Sequence, residues 1–144
     1  MKKPDQFLDG IEHINVYSKG KTWLGQQLSN FAHSPIDTVD GHFESIEGYW
    51  YWLGTHDDIL RDLHGYEAKK VGRAARREVE IIEVPDFQEK IKAAITVKLE
   101  SDKELLKELK ECSLPLKHYY CIRGIVIVPE NNEWVLEHID SFRR

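Results

Sequence analysis

The chain has 144 residues, 41% of them hydrophobic and 31% charged. That size and balance predict one globular domain over residues 1–144, with enough apolar material for its own core, and exclude disordered and fibrous classes. No apolar run approaches the ~20 residues that a membrane-spanning helix needs, and Met1-Lys2-Lys3-Pro4-Asp5 has no apolar stretch behind it, so neither a membrane partner nor a secretory signal is expected. Cys112 and Cys121 form no Cys-x-x-Cys pair, which fits a reducing, cytoplasmic setting. The net charge of −5 is unevenly spread. Residues 1–66 carry 5 basic and 10 acidic groups, whereas Glu67 to Glu78 holds Lys69, Lys70, Arg73, Arg76 and Arg77 against two glutamates. One basic patch on an acidic chain suits a small anionic ligand such as a nucleotide phosphate and disfavours extended nucleic acid, which needs a broad basic face. A solvated arginine-rich helix face accounts for the same run equally well.

In chain order, Ile14 to Tyr17 reads as a short strand, followed by the polar segment Ser18 to Lys21. Pro35 to Phe43 reads as a hairpin turning at Asp40-Gly41, where glycine tolerates positive φ. Ser45 is placed to cap a helix in which Ile46, Tyr49, Trp50 and Leu53 fall at i, i+3, i+4 and i+7. Asp57 and Asp58 open a helical segment that His64-Gly65 closes with a C′ glycine, and Glu67 to Glu80 continues as a basic helix. Asp86 caps a longer helix with Phe87, Ile91, Ala94 and Ile95 on its apolar stripe and Lys98 interrupting it. Asp102 to Cys112 forms another helix before Pro115 forces an extended exit. Tyr119 to Ile122 and Ile125 to Val128 flank Arg123-Gly124 as a hairpin, and a final helix from about Glu130 to Phe142 buries Trp134, Val135 and Ile139. The sum is a helix-rich α+β domain with small antiparallel strands.

The common phosphate-loop, dinucleotide, nucleophile-elbow and His-Glu-x-x-His signatures are absent. The seven histidines show no i, i+4 pair and neither cysteine has a metal-like neighbour, so no metal and no cofactor is expected. Three motifs stand out in order: Leu28-Ser29-Asn30-Phe31, then Gly41-His42-Phe43-Glu44-Ser45-Ile46-Glu47, then Ala68-Lys69-Lys70-Val71-Gly72-Arg73. Together with Ile91-x-x-Ala94-Ile95-x-x-Lys98-Leu99 they resemble the NADAR superfamily, the YbiA-like proteins, over roughly Asn15 to Leu109.

The resemblance implies a YbiA-like fold and cleavage of N-glycosidic bonds in ribosylated nucleotides, either riboflavin-pathway ribosylaminopyrimidine phosphates or ADP-ribose conjugates of guanine. Glu47 matches the family glutamate, and a carboxylate beside a ribose C1 that develops oxocarbenium character is what such a reaction requires. Helical spacing puts Glu47 on the rim of the buried stripe, with Trp50 and Tyr51 at i+3 and i+4. The same residue also serves as an exposed first-turn glutamate complementing the helix dipole. Ser29, Asn30 and Phe31 lie in a turn able to fix ribose hydroxyls or a base edge, or simply to shape the chain. Lys69 and Arg73, at i and i+4, form a phosphate clamp or an ordinary surface pair. Lys98 on an apolar stripe requires an anion, a substrate phosphate or Glu47, unless it snorkels to solvent. One of Trp50, Tyr51 and Trp52 is expected to stack on a base. His118 reaches the site from the far end of the chain or lies on a hairpin edge. The resemblance implies a small nucleotide or an ADP-ribosylated substrate as partner; the chain departs from the family at Gly48 and Tyr51, where His and Gln are usual, and in its C-terminal segments, which favours a non-catalytic, sequestering module as the alternative.

Overall fold

The computed structural model describes residues 3–144, which cluster into two compact units, one formed by 3–29 with 103–144 and the other by 30–102. Six α-helices and six short strands are present among the described residues, and the architecture is the helix-rich α+β class. No helix is long and apolar enough to cross a membrane.

The first unit contains β1 (Ile14–Asn15), α1 (Trp23–Leu28), α5 (Lys103–Glu111), β4 (Leu116–Lys117), the hairpin β5 (Tyr120–Ile122) and β6 (Ile125–Ile127), and α6 (Glu133–Asp140). The exit that Pro115 forces becomes a strand: β4 pairs with β1 in parallel, Ile14 beside Leu116 and Asn15 beside Lys117. This pair is parallel, unlike the antiparallel hairpins, β5–β6 here and 36–43 in the second unit, so the small strands are not all antiparallel. Beyond it the side chain of Asn15 continues the ladder, donating to the Tyr119 carbonyl and accepting from the Tyr119 N–H, each at 3.0 Å. Helix α1 has no counterpart in the sequence reading because its six residues are too few to show a period and Gly25 sits at its centre. Thr22 caps it, Oγ1 accepting from the Gly25 N–H at 2.9 Å, and a Cβ at Gly25 would lie 2.2 Å from the Asn15 carbonyl oxygen, so glycine is what lets helix and strand approach. Ile14, Leu24, Leu28, Leu105, Leu109, Tyr119 and Ile139 fill this core. The terminal helix is shorter than its apolar spacing suggests, and Trp134 is half-buried instead of core, its indole N–H donating to the Asn131 carbonyl at 3.1 Å. Arg123 and Gly124 both take positive φ, 51° and 78°, the two-residue turn that suits a right-twisted hairpin.

The second unit contains the hairpin β2 (Ile36–Thr38) and β3 (Gly41–Phe43), then α2 (Ile46–Thr55), a 3₁₀ turn at Asp58–Asp62, α3 (Gly65–Glu78) and α4 (Phe87–Ser101). The hairpin turns at Val39-Asp40, one residue earlier than the Asp-Gly pair suggests, and Gly41 takes φ 107° as the first residue of the returning strand. Ser45 caps α2 as its position predicts. Its Oγ accepts from the Gly48 N–H at 3.0 Å and donates to the Leu63 carbonyl at 2.8 Å, joining the helix start to the segment after the 3₁₀ turn. Helix α2 ends at His56, left-handed at φ 54°. Gly65 does not close a helix as the His-Gly pair suggests. It opens α3, with φ 61°, and the 3₁₀ turn ends earlier, at Leu63. Ala68, Gly72 and Ala75, at i, i+4 and i+7, are the buried stripe of α3, and small residues there bring α3 onto α2. A Cβ at Gly72 would lie 2.2 Å from Cγ of Tyr51, so the Tyr51 ring packs flat on the glycine and tolerates nothing larger.

Candidate functional site

Glu47 is the second residue of α2, in the turn capped by Ser45. Its N–H, one of the amides a helix leaves unpaired at its start, donates to the Asn30 carbonyl at 3.0 Å. The first two motifs therefore meet at the start of one helix. Phe31, next along the chain, carries the Lys69 ammonium 5.8 Å from its ring centroid, which brings the third motif into the same neighbourhood. The Arg76 guanidinium lies over the Tyr51 ring at 4.4 Å, and Tyr51 in turn rests on Gly72. Thus the Ala-Lys-x-x-Gly-Arg pattern has a physical reading. Its small residues face the aromatic surface of α2, and its cations at 69, 73 and 76 project on the adjoining face toward Glu47.

These charges act on one another. Burial pushes the Glu47 carboxyl up to about 7, while Lys69, Arg76 and Arg73 pull it in the opposite direction. Desolvation wins over three cations, which is the behaviour of a carboxyl set into protein with incomplete access to water. At neutral pH such a group is close to half ionised, so it exchanges a proton readily in either direction. The cluster as a whole is cationic, three positive groups to one partly ionised carboxyl, and favours an anion. Arg76 is a member of this group that the motif spacing does not single out, although seven and three residues from Lys69 and Arg73 place all three on one helix face. Nε of Arg76 is the one buried side-chain nitrogen or oxygen without a hydrogen-bond partner among the described residues, a situation that costs on the order of 1–3 kcal/mol.

The remaining sequence candidates differ in burial and in their partners. Lys98 is 2% exposed, held inside the second unit on α4. Burial pushes its ammonium down to about 7, and the charge that opposes this is Asp102, one turn along, not Glu47. It does not snorkel to solvent. Tyr51 is buried against Gly72, with the Arg76 guanidinium over its ring. Trp50 is half-buried, edge-on to Phe87 at 4.8 Å, and is the ring of the three that keeps most access, since Trp52 is buried with its indole N–H on Asp58 at 3.0 Å. Ser29 ends α1 in the first unit and is buried. His118 also belongs to the first unit. Its Nδ1–H donates to the Val16 carbonyl at 2.6 Å, and burial pushes the imidazole down, which keeps it neutral.

Among the described residues no cluster of three or more His, Cys, Asp or Glu side chains is arranged to hold a metal ion. The fold is similar to that of Escherichia coli YbiA. The solution structure of that protein superposes with a TM-score of 0.67, covering 92% of this chain and 87% of YbiA at 18% sequence identity, a likeness of fold. No protein-family profile and no curated sequence matches the chain. Position 48 has no room for a side chain: a Cβ on Gly48 would lie 2.5 Å from the Leu60 carbonyl oxygen and 3.2 Å from that of Leu63, so the backbone of the 3₁₀ turn and the residue after it fill that space.

Proposed function

We propose that the chain is an N-glycosidase acting on a ribosylated nucleotide, an ADP-ribose conjugate or a related phosphorylated metabolite, with Glu47 as the working carboxylate. The observation that carries this reading is a desolvated carboxyl titrating near neutrality beside Lys69, Arg73 and Arg76. In the reaction the C1–N bond breaks, its electron pair leaves with the base nitrogen, and positive charge develops at C1 and the ring oxygen. The Glu47 carboxylate stabilises that charge and takes a proton from the water whose oxygen bonds to C1, and the proton passes on to the departing base. Lys69 and Arg73 hold the phosphate, Asn30 and Phe31 line the ribose, and Trp50 supplies the ring beside the base. Tyr51, Lys98, Ser29 and His118 serve the fold around this group.

Purified protein incubated with ADP-ribosylated guanosine, ADP-ribosylated DNA, NAD, ADP-ribose and ribosylaminopyrimidine phosphate is expected to release free base from at least one of them, read by mass spectrometry. Tight binding of an intact substrate with no product would favour sequestration, the reading to which Gly48 and Tyr51 lend support because neither position can present a family-like polar group at the reacting bond.

A further inference from the structure

The chain builds two short antiparallel hairpins and faces them to solvent in different ways. On β2–β3 the cross-strand pair Asp37 and His42 is joined carboxylate to ring nitrogen at 2.8 Å, a charged pair suited to water. On β5–β6 the pairs that share one face are Tyr120 with Ile127 and Ile122 with Ile125. Side chains alternate across a strand, so Cys121 and Val126 belong to the opposite face. Those two are half-buried, and the Cys121 thiol is raised by burial first and then by Asp9, against Lys21, which sets that face on the first unit. The isoleucine face is bare. Ile122, Ile125 and Ile127 are 52%, 60% and 43% exposed, and Val128 beyond them is exposed too. Tyr17 lies edge-on to Tyr120 at 5.5 Å, at the end away from the turn. At the turn, the Gln6 side-chain amide donates to the Gly124 carbonyl at 3.0 Å, which brings the segment of the exposed Phe7 to the hairpin tip.

A two-stranded hairpin is marginal by itself, and one with isoleucines on its open face gains nothing from them until something covers that face. Together Phe7, Ile122, Ile125, Ile127 and Val128 expose roughly 500 Å² of apolar side chain, at the upper end of the largest patch a monomer ordinarily leaves open. With a polar rim, that area is on the order of the ~800 Å² per partner of a stable interface. We infer that the isoleucine face of β5–β6 is the contact of a two-fold dimer, covered by the same face of a second copy of the chain. A β-branched apolar face is complementary to itself, which is the condition a two-fold contact imposes. The charges at its two ends are opposite. Arg123 stands in the turn and Glu130 just past the far end of β6, so two copies laid antiparallel bring each arginine to the glutamate of the other. The hairpin carries a single cation in a chain of net charge −5, a balance that disfavours an anionic lipid surface as the occupant. The inference is independent of the glycosidase reading.

The test is sedimentation equilibrium of the full chain from nanomolar to high micromolar concentration. Wild type is expected to dimerise with a Kd in the micromolar range. Ile125→Lys sets a charge at the centre of the face, twice per dimer, and is expected to weaken association about a hundredfold. Ile122→Thr combined with Ile127→Thr keeps β-branched side chains that suit a strand, so it tests the apolar face with the hairpin intact, and should weaken association about tenfold. Arg123→Glu and Glu130→Arg are each expected to weaken it about tenfold, and the double exchange to restore it. Restoration identifies the occupant as a second, antiparallel copy. A wild type that stays monomeric throughout, a dimer insensitive to the substitutions at 122, 125 and 127, or losses at 123 and 130 that add instead of cancelling would overturn the inference. So would Ile125-dependent binding of monomeric protein to phosphatidylcholine–phosphatidylglycerol vesicles, which would assign the face to lipid.

Discussion

Replacing Glu47 by glutamine is expected to lower turnover by about 10²–10⁴-fold, the usual contribution of a positioned acid or base, while leaving ligand affinity close to that of wild type. The substitution keeps size and polarity and removes only the ability to carry charge and accept a proton. The pH dependence follows from the same group. The working form is the carboxylate and its pKa is raised to about 7, so kcat/KM for wild type should climb tenfold per pH unit below 7 and level off above it, and the residual rate of Glu47→Gln should lack that limb. The sign for stability is opposite. The folded chain holds the Glu47 proton more tightly than the unfolded chain, whose value is near 4.5, so rising pH between about 4.5 and 7 destabilises the fold through this residue, by an amount on the order of 2–3 kcal/mol. Glu47→Gln is therefore expected to be more stable than wild type at pH 7, with denaturant midpoints converging toward pH 4. A carboxyl retained at a cost to stability is what a functional group looks like. Equal turnover in the two proteins would remove Glu47 from the chemistry.

Lys98 gives the second large effect, on stability alone. Its ammonium is buried, and its pKa is pushed down to about 7 from the ordinary 10.5. The unfolded chain binds this proton more tightly than the folded one, so stability should rise as pH climbs from about 7 to 10.5 and be lost again as pH falls through that window. The full difference is on the order of 4 kcal/mol. Urea unfolding of wild type and Lys98→Met at several pH values across that window should show the gap between the two proteins changing steadily in favour of wild type as pH increases. A gap independent of pH would mean that Lys98 stays charged in the folded state, paired strongly enough to offset its burial. Methionine matches the length and flexibility of the lysine stem, so packing is nearly conserved and the comparison isolates the charge.

These two residues also show what the sequence made legible. Lys98 was conspicuous because a charge broke an apolar period, and the structure keeps it buried, but the period could not say which anion lay opposite, and that proved to be Asp102 one turn away. Glu47 was marked by its motif, and its spacing on α2 placed it at the edge of the buried face. Its altered titration arises from burial, which α3 opposes with three cations from eighteen or more residues along the chain, so helical spacing alone had no access to the balance. The i, i+4 spacing of Lys69 and Arg73 marks a pair, and Arg76 extends it to i+7 on the same face of α3. The stripe Ala68, Gly72, Ala75 shows that a third cation at i+7 was on the accessible side. The capped helix α2, the basic helix α3 and the Arg123-Gly124 turn were readable since each rests on a local device, a serine cap, a period or a positive φ. The parallel pairing of β1 with β4 and the six-residue α1 were not. Pairing across a hundred residues leaves no local trace, and α1 depends on the close approach of Gly25 to the backbone of Asn15.

The central claim is that a carboxyl at the start of α2 titrates near neutrality between burial and three cations, and it can be measured at that atom. Carbon-detected NMR titration of the glutamate side-chain carboxyls, with the Glu47 resonance assigned by its disappearance in Glu47→Gln, is predicted to give one midpoint near 7. A Glu47 midpoint at the ordinary value near 4.5 would contradict the account, because the residue would then be a solvated first-turn glutamate of α2 with no special chemistry to offer.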